Sequence, residues 1–392
     1  QPTLCSRRCV LDKFDLHTKI FLGSASFDKM LEQRRRVFIV TDKFMHESGR
    51  VSYLTDKIKA EDAKWEIFSD VTPDPDIETV TAGVAKILEF QPDTVIALGG
   101  GSPIDAAKAI VYFAAKQIDL RDCPFVAVPT TSGTGSEVSK FAVITDRARG
   151  IKYPLIDDTL LPDYAVLDAE LTCSVPPKVT ADTGLDVLTH AIEAFVCTEA
   201  NAFTDALAEK SVKLVDHYLL LAYKEPDNRE ARQGMHNASC LAGAAFSNAG
   251  LGLCHSMAHA MGAQFHIPHG RANAILLPVV MSFNAGCETT LTPVATRYAE
   301  LASLIGMGAT SMRQSALNLI HMVRRLQQRM GVPQCIKDAG VSAEDFEAAL
   351  DTMADAALAD RCTATNPKLC TKEDIIELYR QAYSKSNRKG MS

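Results

Sequence analysis

The sequence contains no CxxC pair, although its 11 cysteines run from Cys5 to Cys370. An odd, dispersed set of thiols is a poor disulfide framework and fits a reducing compartment. Cys5 and Cys9 have neither a second pair nor a nearby histidine to complete a tetrahedral zinc site. There is no apolar run long enough to cross a bilayer, and the opening QPTLCSRRCVLDKFD lacks the hydrophobic segment of a secretory signal. The expectation is a chain that neither spans a membrane nor is exported, located in the cytoplasm. It starts without methionine, which suggests a trimmed upstream segment. Charge of one sign is also scarce. With 41 basic against 48 acidic residues, the net charge of −7 gives no electrostatic footprint for nucleic acid or an anionic membrane. Repeats and low-complexity stretches are missing, and 47% hydrophobic residues mark a folded chain.

At 392 residues the chain exceeds the roughly 250–300 residues at which a single core stops growing, so two domains are expected. Its character changes partway. From about Arg35 to Leu167, β-branched runs (RVFIVTD, WEIFSDV, TVIALGGG, FVAVPTTSG, KFAVITD, YAVLD) alternate with helical stretches, as in βαβ units around a parallel sheet. After Pro176-Pro177 only helical periodicity follows, as in SMRQSALNLIHMVRRLQQRM and KEDIIELYRQAY. The reading is an α/β dinucleotide-binding domain over residues 1–177 and an all-α domain over 178–392.

In TVIALGGGSPIDAAKAIVYF a buried-strand run meets Gly99, Gly100, Gly101 and Ser102 and then a helix with proline in its first turn. Glycines let the backbone approach a phosphate, and a helix start offers unpaired N–H groups with a positive dipole end. The spacing is not GxGxxG, so a plain tight turn is the competing reading. A second strand ends in PTTSGTGSEV, where Thr130, Thr131 and Thr134 are interleaved with glycines. Two such loops at strand ends would flank one crevice of a doubly wound sheet. Asp42 closes the strand RVFIVTD, where a carboxylate can bind both ribose hydroxyls and repel a 2′-phosphate. It lies 57 residues before Gly99, whereas the usual fingerprint places the acid after the glycines, and on local grounds it is a solvated strand-end aspartate. Lys152 could reach a phosphate or ribose, while the run Arg34-Arg35-Arg36 reads as a solvated loop.

Four of the ten histidines (His255, His259, His266, His269) fall within 15 residues. His255 and His259 share a helical face at i,i+4, and His269 sits at a Pro-His-Gly turn that can bring it back. Upstream, Asp186 and His190 are also i,i+4, on a largely apolar helix. Burying such groups without partners is costly, and a divalent cation satisfies all of them. One carboxylate with imidazoles and no thiolate suits Fe(II), Zn(II) or Mn(II). Core histidines bonded to backbone are the alternative. Cys254 adjoins His255 but its place on the helix points elsewhere.

The strings GGGSPIDAAK, PTTSGTGSEV, DTGLDVLTHAIEAF and GLCHSMAHAMGAQFHIPHGRAN resemble the iron-dependent (group III) alcohol dehydrogenase family, and the resemblance extends over nearly the whole chain. Within it, the sequence is most similar to the propanol and ethanol dehydrogenases of bacterial microcompartments and to the alcohol dehydrogenase half of bifunctional aldehyde–alcohol dehydrogenases. The resemblance implies a Rossmann-like N-terminal domain, a helical C-terminal metal-binding domain of the dehydroquinate synthase-like type, and NAD(H) with Fe(2+), or Zn(2+), as cofactors. It makes Asp186, His190, His255 and His269 the metal ligands and places His259 beside the nicotinamide as a catalytic proton carrier. Gly99, Gly100, Gly101 and Ser102 then form the pyrophosphate loop and Asp42 binds the ribose, with Thr130, Thr131, Thr134 and Lys152 as further cofactor contacts. Asp74 stands where relatives often carry asparagine, and His266 has no family role. The implied activity is NADH-dependent reduction of a short-chain aldehyde, propionaldehyde first, with ethanol, butanol or propanediol (lactaldehyde) dehydrogenase as variants. Glycerol dehydrogenase and dehydroquinate synthase share the overall fold but fit the metal motifs less well, and a non-catalytic subunit is the different-class alternative. The resemblance further implies a homo-oligomer, dimeric or higher, and residence in a microcompartment among shell or lumen enzymes.

Overall fold

Eight strands form where the β-branched runs lie: β1 (Lys19–Leu22), β2 (Arg36–Asp42), β3 (Lys64–Val71), β4 (Thr94–Gly99), β5 (Phe125–Pro129), β6 (Phe141–Asp146), β7 (Ile151–Ile156) and β8 (Tyr164–Leu167). The structure is a computed structural model that describes residues 14–384 apart from 33 and 150; Cys5 and Cys9 lie outside the described residues. Six strands make one parallel sheet in the order β1-β8-β5-β4-β2-β3. KFAVITD departs from the sequence expectation. As β6 it leaves the parallel sheet and pairs antiparallel with β7 in a separate hairpin. Alternation defines a strand but not its partner, and the short link to β7 makes the local hairpin the cheaper closure.

Helices α1 (Ala25–Leu31), α2 (Lys43–Glu47), α3 (Ser52–Ala60), α4 (Ile77–Phe90) and α5 (Gly101–Ala114) alternate with the strands. The sheet is buried on both faces, and the period of two shows in the packing. Phe38, Val40, Val95, Ala97, Phe125 and Ala127 meet α4 and α5 on one face. Val37, Ile39, Ile96, Leu98, Val126 and Val128 meet α1 and α3 on the other. Arg36 is not solvated as expected. It stacks on Phe90, 4.6 Å from the ring centroid, and donates to the Phe90 and Gln91 carbonyls, closing the C-terminus of α4.

From Pro177 onward the chain is helical: α6 (Pro177–Val196), α7 (Ala202–Lys224), α8 (Arg229–Ala249), α9 (Leu253–Phe265), α10 (His269–Ala285), α11 (Val294–Leu304), α12 (Met312–Arg329), α13 (Ala343–Ala359) and α14 (Lys372–Tyr383). Buried along nearly its whole length, α6 is packed by α7, α8 and α10. The parallel sheet meets this bundle at its carboxyl end. Gly135, just beyond β5, lies so close to Gly243 of α8 that a Cβ on it would stand 2.6 Å from the Gly243 Cα. Among the described residues no helix is long and apolar enough to cross a membrane, and the nine described cysteines are all free.

Candidate metal centre and cofactor cleft

Chain direction across the sheet reverses between β2 and β4. From β2 the chain moves out to β3 at one edge, then returns on the other side of β2 as β4 and proceeds to β5. Ligands of open α/β sheets bind at such a reversal, beyond the carboxyl ends of the strands. This topology brings Asp42 near Gly99 despite the 57 residues between them. Val40 pairs with Ala97, and the Thr41 hydroxyl donates to the Leu98 carbonyl at 2.7 Å, so Asp42 ends its strand beside Gly99. One Asp42 oxygen caps α2, accepting from the Met45 N–H at 2.8 Å. The side chain is half-buried.

The two polar loops pack on one another. A Cβ on Gly101 would lie 2.8 Å from Thr134 Cγ2, and one on Gly100 would lie 3.3 Å from Thr131 Oγ1. The Thr130 N–H donates to the Gly99 carbonyl at 2.9 Å. Gly100 caps α5 without a side chain, and Ser102 lies in the first turn, where N–H groups lack intrahelical partners. Asp74, exposed between Pro73 and Pro75 after β3, has φ +55°, a conformation that asparagine and aspartate tolerate better than most residues. Lys152 lies in β7 opposite Thr145, and its side chain is outside the described groups.

On the helical side, α6, α9 and α10 converge. One ligand atom from each of Asp186, His190, His255 and His269 lies within 4.8 Å of the others. Asp186 Oδ1 stands 3.9 Å from His255 Nε2 and 3.6 Å from His269 Nε2, and the His190 and His255 rings stack 4.6 Å apart. Three of these residues are buried, and His269 is exposed. His190 Nδ1 and His255 Nε2 are buried without a hydrogen-bond partner. An unsatisfied buried polar group costs about 1–3 kcal/mol, which a cation held among these nitrogens offsets. The donor set therefore fits a divalent metal. Burial opposes ionisation of Asp186, but the surrounding His190, His269 and His255 hold its carboxyl below the ordinary range. Burial and then the neighbouring imidazoles push His255 well below its ordinary value, so its imidazole is neutral, the form able to bind a cation. Cys254 stays out of the group: its thiol faces the Asn273 carbonyl at 3.5 Å, and burial pushes its titration far up.

Several residues of this centre were not singled out in the sequence. Glu193, one turn beyond His190 on α6, accepts from His255 Nδ1 at 2.5 Å and from the Cys254 N–H at 2.7 Å. Its H-x-x-E spacing was the available signal. Burial pushes its carboxyl up to about 7. Asn273, one turn into α10 from His269, donates to Asp186 Oδ1 at 2.8 Å. Arg271 pairs with Asp182 at 2.6 Å and ties α10 to α6. Gly270 permits that approach, since a Cβ there would collide with the Asp182 carbonyl at 2.2 Å. His266 is the left-handed C-cap of α9, φ +54°, so its part is to turn the chain toward His269. His259 is partly exposed in the cleft, its ring stacked on His269 at 5.3 Å and its Nδ1 2.9 Å from Asp360. Burial raises the Asp360 carboxyl, but the hydrogen bond and charge of His259 together with the bonds from Cys362 outweigh it and hold the group well below the carboxylate range.

The loop after β5 and the helical bundle are also joined by His236 of α8. Its Nε2 lies 3.2 Å from the Pro129 carbonyl and its Nδ1 3.0 Å from Ser132 Oγ. The carbonyl only accepts, so Nε2 carries the hydrogen and Ser132 donates to Nδ1.

Residues 18–169 match the family model for iron-containing alcohol dehydrogenase, and residues 180–383 match the C-terminal model of the Fe-containing alcohol dehydrogenase family. The chain is 46% identical over 372 residues to 1-propanol dehydrogenase PduQ of Salmonella typhimurium, covering 94% of this chain and 99% of that protein. It is 40% identical over 387 residues to an NADPH-dependent butanol dehydrogenase of Clostridium saccharobutylicum, covering 95% and 98%. Among solved structures, the iron-containing alcohol dehydrogenase of Thermococcus thioreducens superposes with a TM-score of 0.86 at 35% identity, covering 95% of this chain and 99% of that one. Sulfoacetaldehyde reductase of Bifidobacterium kashiwanohense in complex with NAD+ superposes with a TM-score of 0.83 at 29% identity, covering 95% and 99%. The chain belongs to the iron-containing alcohol dehydrogenase family, and its class is oxidoreductase.

Proposed function

We propose that this protein reduces a short-chain aldehyde, propionaldehyde first, to the primary alcohol with NADH, and runs the reverse reaction with NAD. The observation that carries this reading is the pair of buried imidazole nitrogens, His190 Nδ1 and His255 Nε2, left without a hydrogen-bond partner in the cluster of Asp186, His190, His255 and His269. The propionaldehyde preference is supported by the 46% identity to a 1-propanol dehydrogenase. Asp186, His190, His255 and His269 hold the metal, iron in this reading, with zinc as the substitute.

When bound, a divalent metal here supplies Lewis-acid stabilisation of charge on the carbonyl oxygen, and the reduced nicotinamide supplies the hydride. Gly99, Gly100, Gly101 and Ser102 receive the pyrophosphate with their N–H groups, and Asp42 holds the ribose with the oxygen that is not capping α2. Thr130, Thr131, Thr134, Lys152 and Asp74 complete the cofactor contacts. His259 passes a proton from Nε2, by way of water and a ribose hydroxyl, to the substrate oxygen. Residues 1–177 serve the cofactor and 178–392 the metal, so neither part is active alone. The same reading makes the protein a cytoplasmic homodimer or larger homo-oligomer, housed in a microcompartment with its shell or lumen enzymes.

The test is anaerobic loading with iron or zinc, followed by kcat/KM with NADH for propionaldehyde, acetaldehyde, butyraldehyde, lactaldehyde and dihydroxyacetone. Propionaldehyde should lead. Preference for dihydroxyacetone, or equal activity of metal-free protein, would overturn the reading.

A further inference from the structure

His259 and Asp360 meet across 101 residues of chain, at the point where the segment after α13 returns to the cleft. Both oxygens of Asp360 are in use. Oδ1 accepts from the Cys362 N–H at 2.8 Å and the Ser256 hydroxyl at 3.1 Å, and Oδ2 lies 2.9 Å from His259 Nδ1. Asp360 is the N-cap of the short 3₁₀ turn Arg361–Thr365, so its carboxylate is fixed by its own backbone surroundings. Ser256 and His259 lie three residues apart on α9, so one carboxylate is gripped at two points of one helical face. α9 itself is pinned by the Tyr379 hydroxyl, which donates to the Met257 carbonyl at 2.7 Å.

An ionised carboxylate only accepts, so the hydrogen of a neutral His259 must sit on Nδ1. Nε2 is then left with its lone pair, in the plane of a ring that stacks on His269. We infer that Asp360 is a positioning residue that fixes the tautomer and ring plane of His259, so that Nε2 is the atom that takes up and releases the proton of the aldehyde–alcohol reaction. This rests on the relay role proposed for His259. In the reducing direction Nε2 first takes up a proton from solvent and then gives it toward the substrate oxygen, while Nδ1 keeps its hydrogen; hydride and proton together account for the two hydrogens added. Asp360 gives up nothing and stays an acceptor throughout. Its oxygens are already taken by three donors, which distinguishes it from a metal ligand even though Cys362 and His259 are close by.

Asp360→Asn is the informative variant. Asparagine keeps the oxygen that caps Cys362 and accepts from Ser256, but it presents an NH₂ group to His259 Nδ1. The imidazole must then accept at Nδ1 and carry its hydrogen on Nε2. The expected result is a kcat for aldehyde reduction lower by on the order of 10²-fold, with KM values for aldehyde and NADH little changed and metal content at the wild-type level. In zinc-loaded protein, ¹⁵N imidazole spectra assigned with His259→Ala should show His259 moving from the Nδ1–H to the Nε2–H form. The double variant with His259→Ala should be no slower than His259→Ala alone. An unchanged tautomer, wild-type kcat, effects that multiply in the double variant, or loss of metal with raised KM would each overturn the assignment. Full turnover by His259→Ala would instead remove the relay reading, while the spectra would still decide whether Asp360 sets the tautomer.

Discussion

Glu193 accepts the Nδ1 hydrogen of His255 at 2.5 Å, with both side chains buried. The bond leaves Nε2 of His255 as the lone-pair atom facing Asp186, so the orientation of an imidazole from α9 is set by a carboxylate from α6.

Replacing that carboxylate should therefore be felt by the metal. In Glu193→Gln the backbone N–H of Cys254 can keep an acceptor, but the imidazole loses the partner that fixes its tautomer and raises its basicity. Metal affinity should fall by about 10–100-fold. Competition with a chelator, read by metal content, measures it; unchanged affinity would remove the orienting role.

Metal removal should act on the fold as well as on turnover. Asp186, His190 and His255 are all buried, so the metal-free protein must leave polar groups unsatisfied. Saturating metal at about 100 times its Kd should stabilise the protein by roughly 2.7 kcal/mol. A thermal melt of chelated against reloaded protein tests this, and a Tm independent of metal would contradict it.

Coenzyme choice should turn on the charge of Asp42. Asparagine is as good an N-cap as aspartate, so Asp42→Asn keeps the bond to Met45 while removing the negative charge that repels a 2′-phosphate. The ratio of kcat/KM for NADPH over NADH should rise with Tm nearly constant. No change in that ratio would place the ribose elsewhere.

Contact between the two glycine-bearing loops, proposed to hold the cofactor, gives a paired test. Gly101→Ala places a methyl 2.8 Å from Thr134 Cγ2, and NADH affinity should fall, by about tenfold if the misfit costs near 1.4 kcal/mol. Thr134→Ser removes the opposing methyl and should restore binding in the double variant. Fluorescence titration of NADH reads both steps.

Acid should loosen the join between the halves. Burial lowers the His236 pKa from 6.5 to about 4, so between those values the unfolded chain binds a proton that the folded one does not. Stability is full above pH 6.5 and is lost as pH falls toward 4, by on the order of 2 kcal/mol at pH 5. Urea unfolding of the wild type and of His236→Gln over this range should differ in slope, the variant being flatter. Parallel slopes would exclude His236 as the source.

Regular periodicity made much of this protein legible. The i,i+4 spacing of Asp186 with His190 and of His255 with His259 fixes which side chains share a helical face, and the glycine loops mark strand ends where the backbone must approach closely. His269 required the Pro-His-Gly turn, and the left-handed His266 that completes it carried no recognisable signal. Pairing of β6 with β7 was equally invisible, because alternation says that a strand has two faces and nothing about its neighbour.

Sequence by itself determined the alternating first part, the helical second part and the chemistry available to each. Tertiary structure decided what meets what. It set Asp42 beside Gly99 by placing β4 against β2, and brought Asp360 to His259 and His236 to Ser132. Local spacing is dictated by backbone geometry within a helix or strand. Contacts across a hundred residues depend on which buried faces pack together, a property of the whole core that no short stretch of sequence encodes.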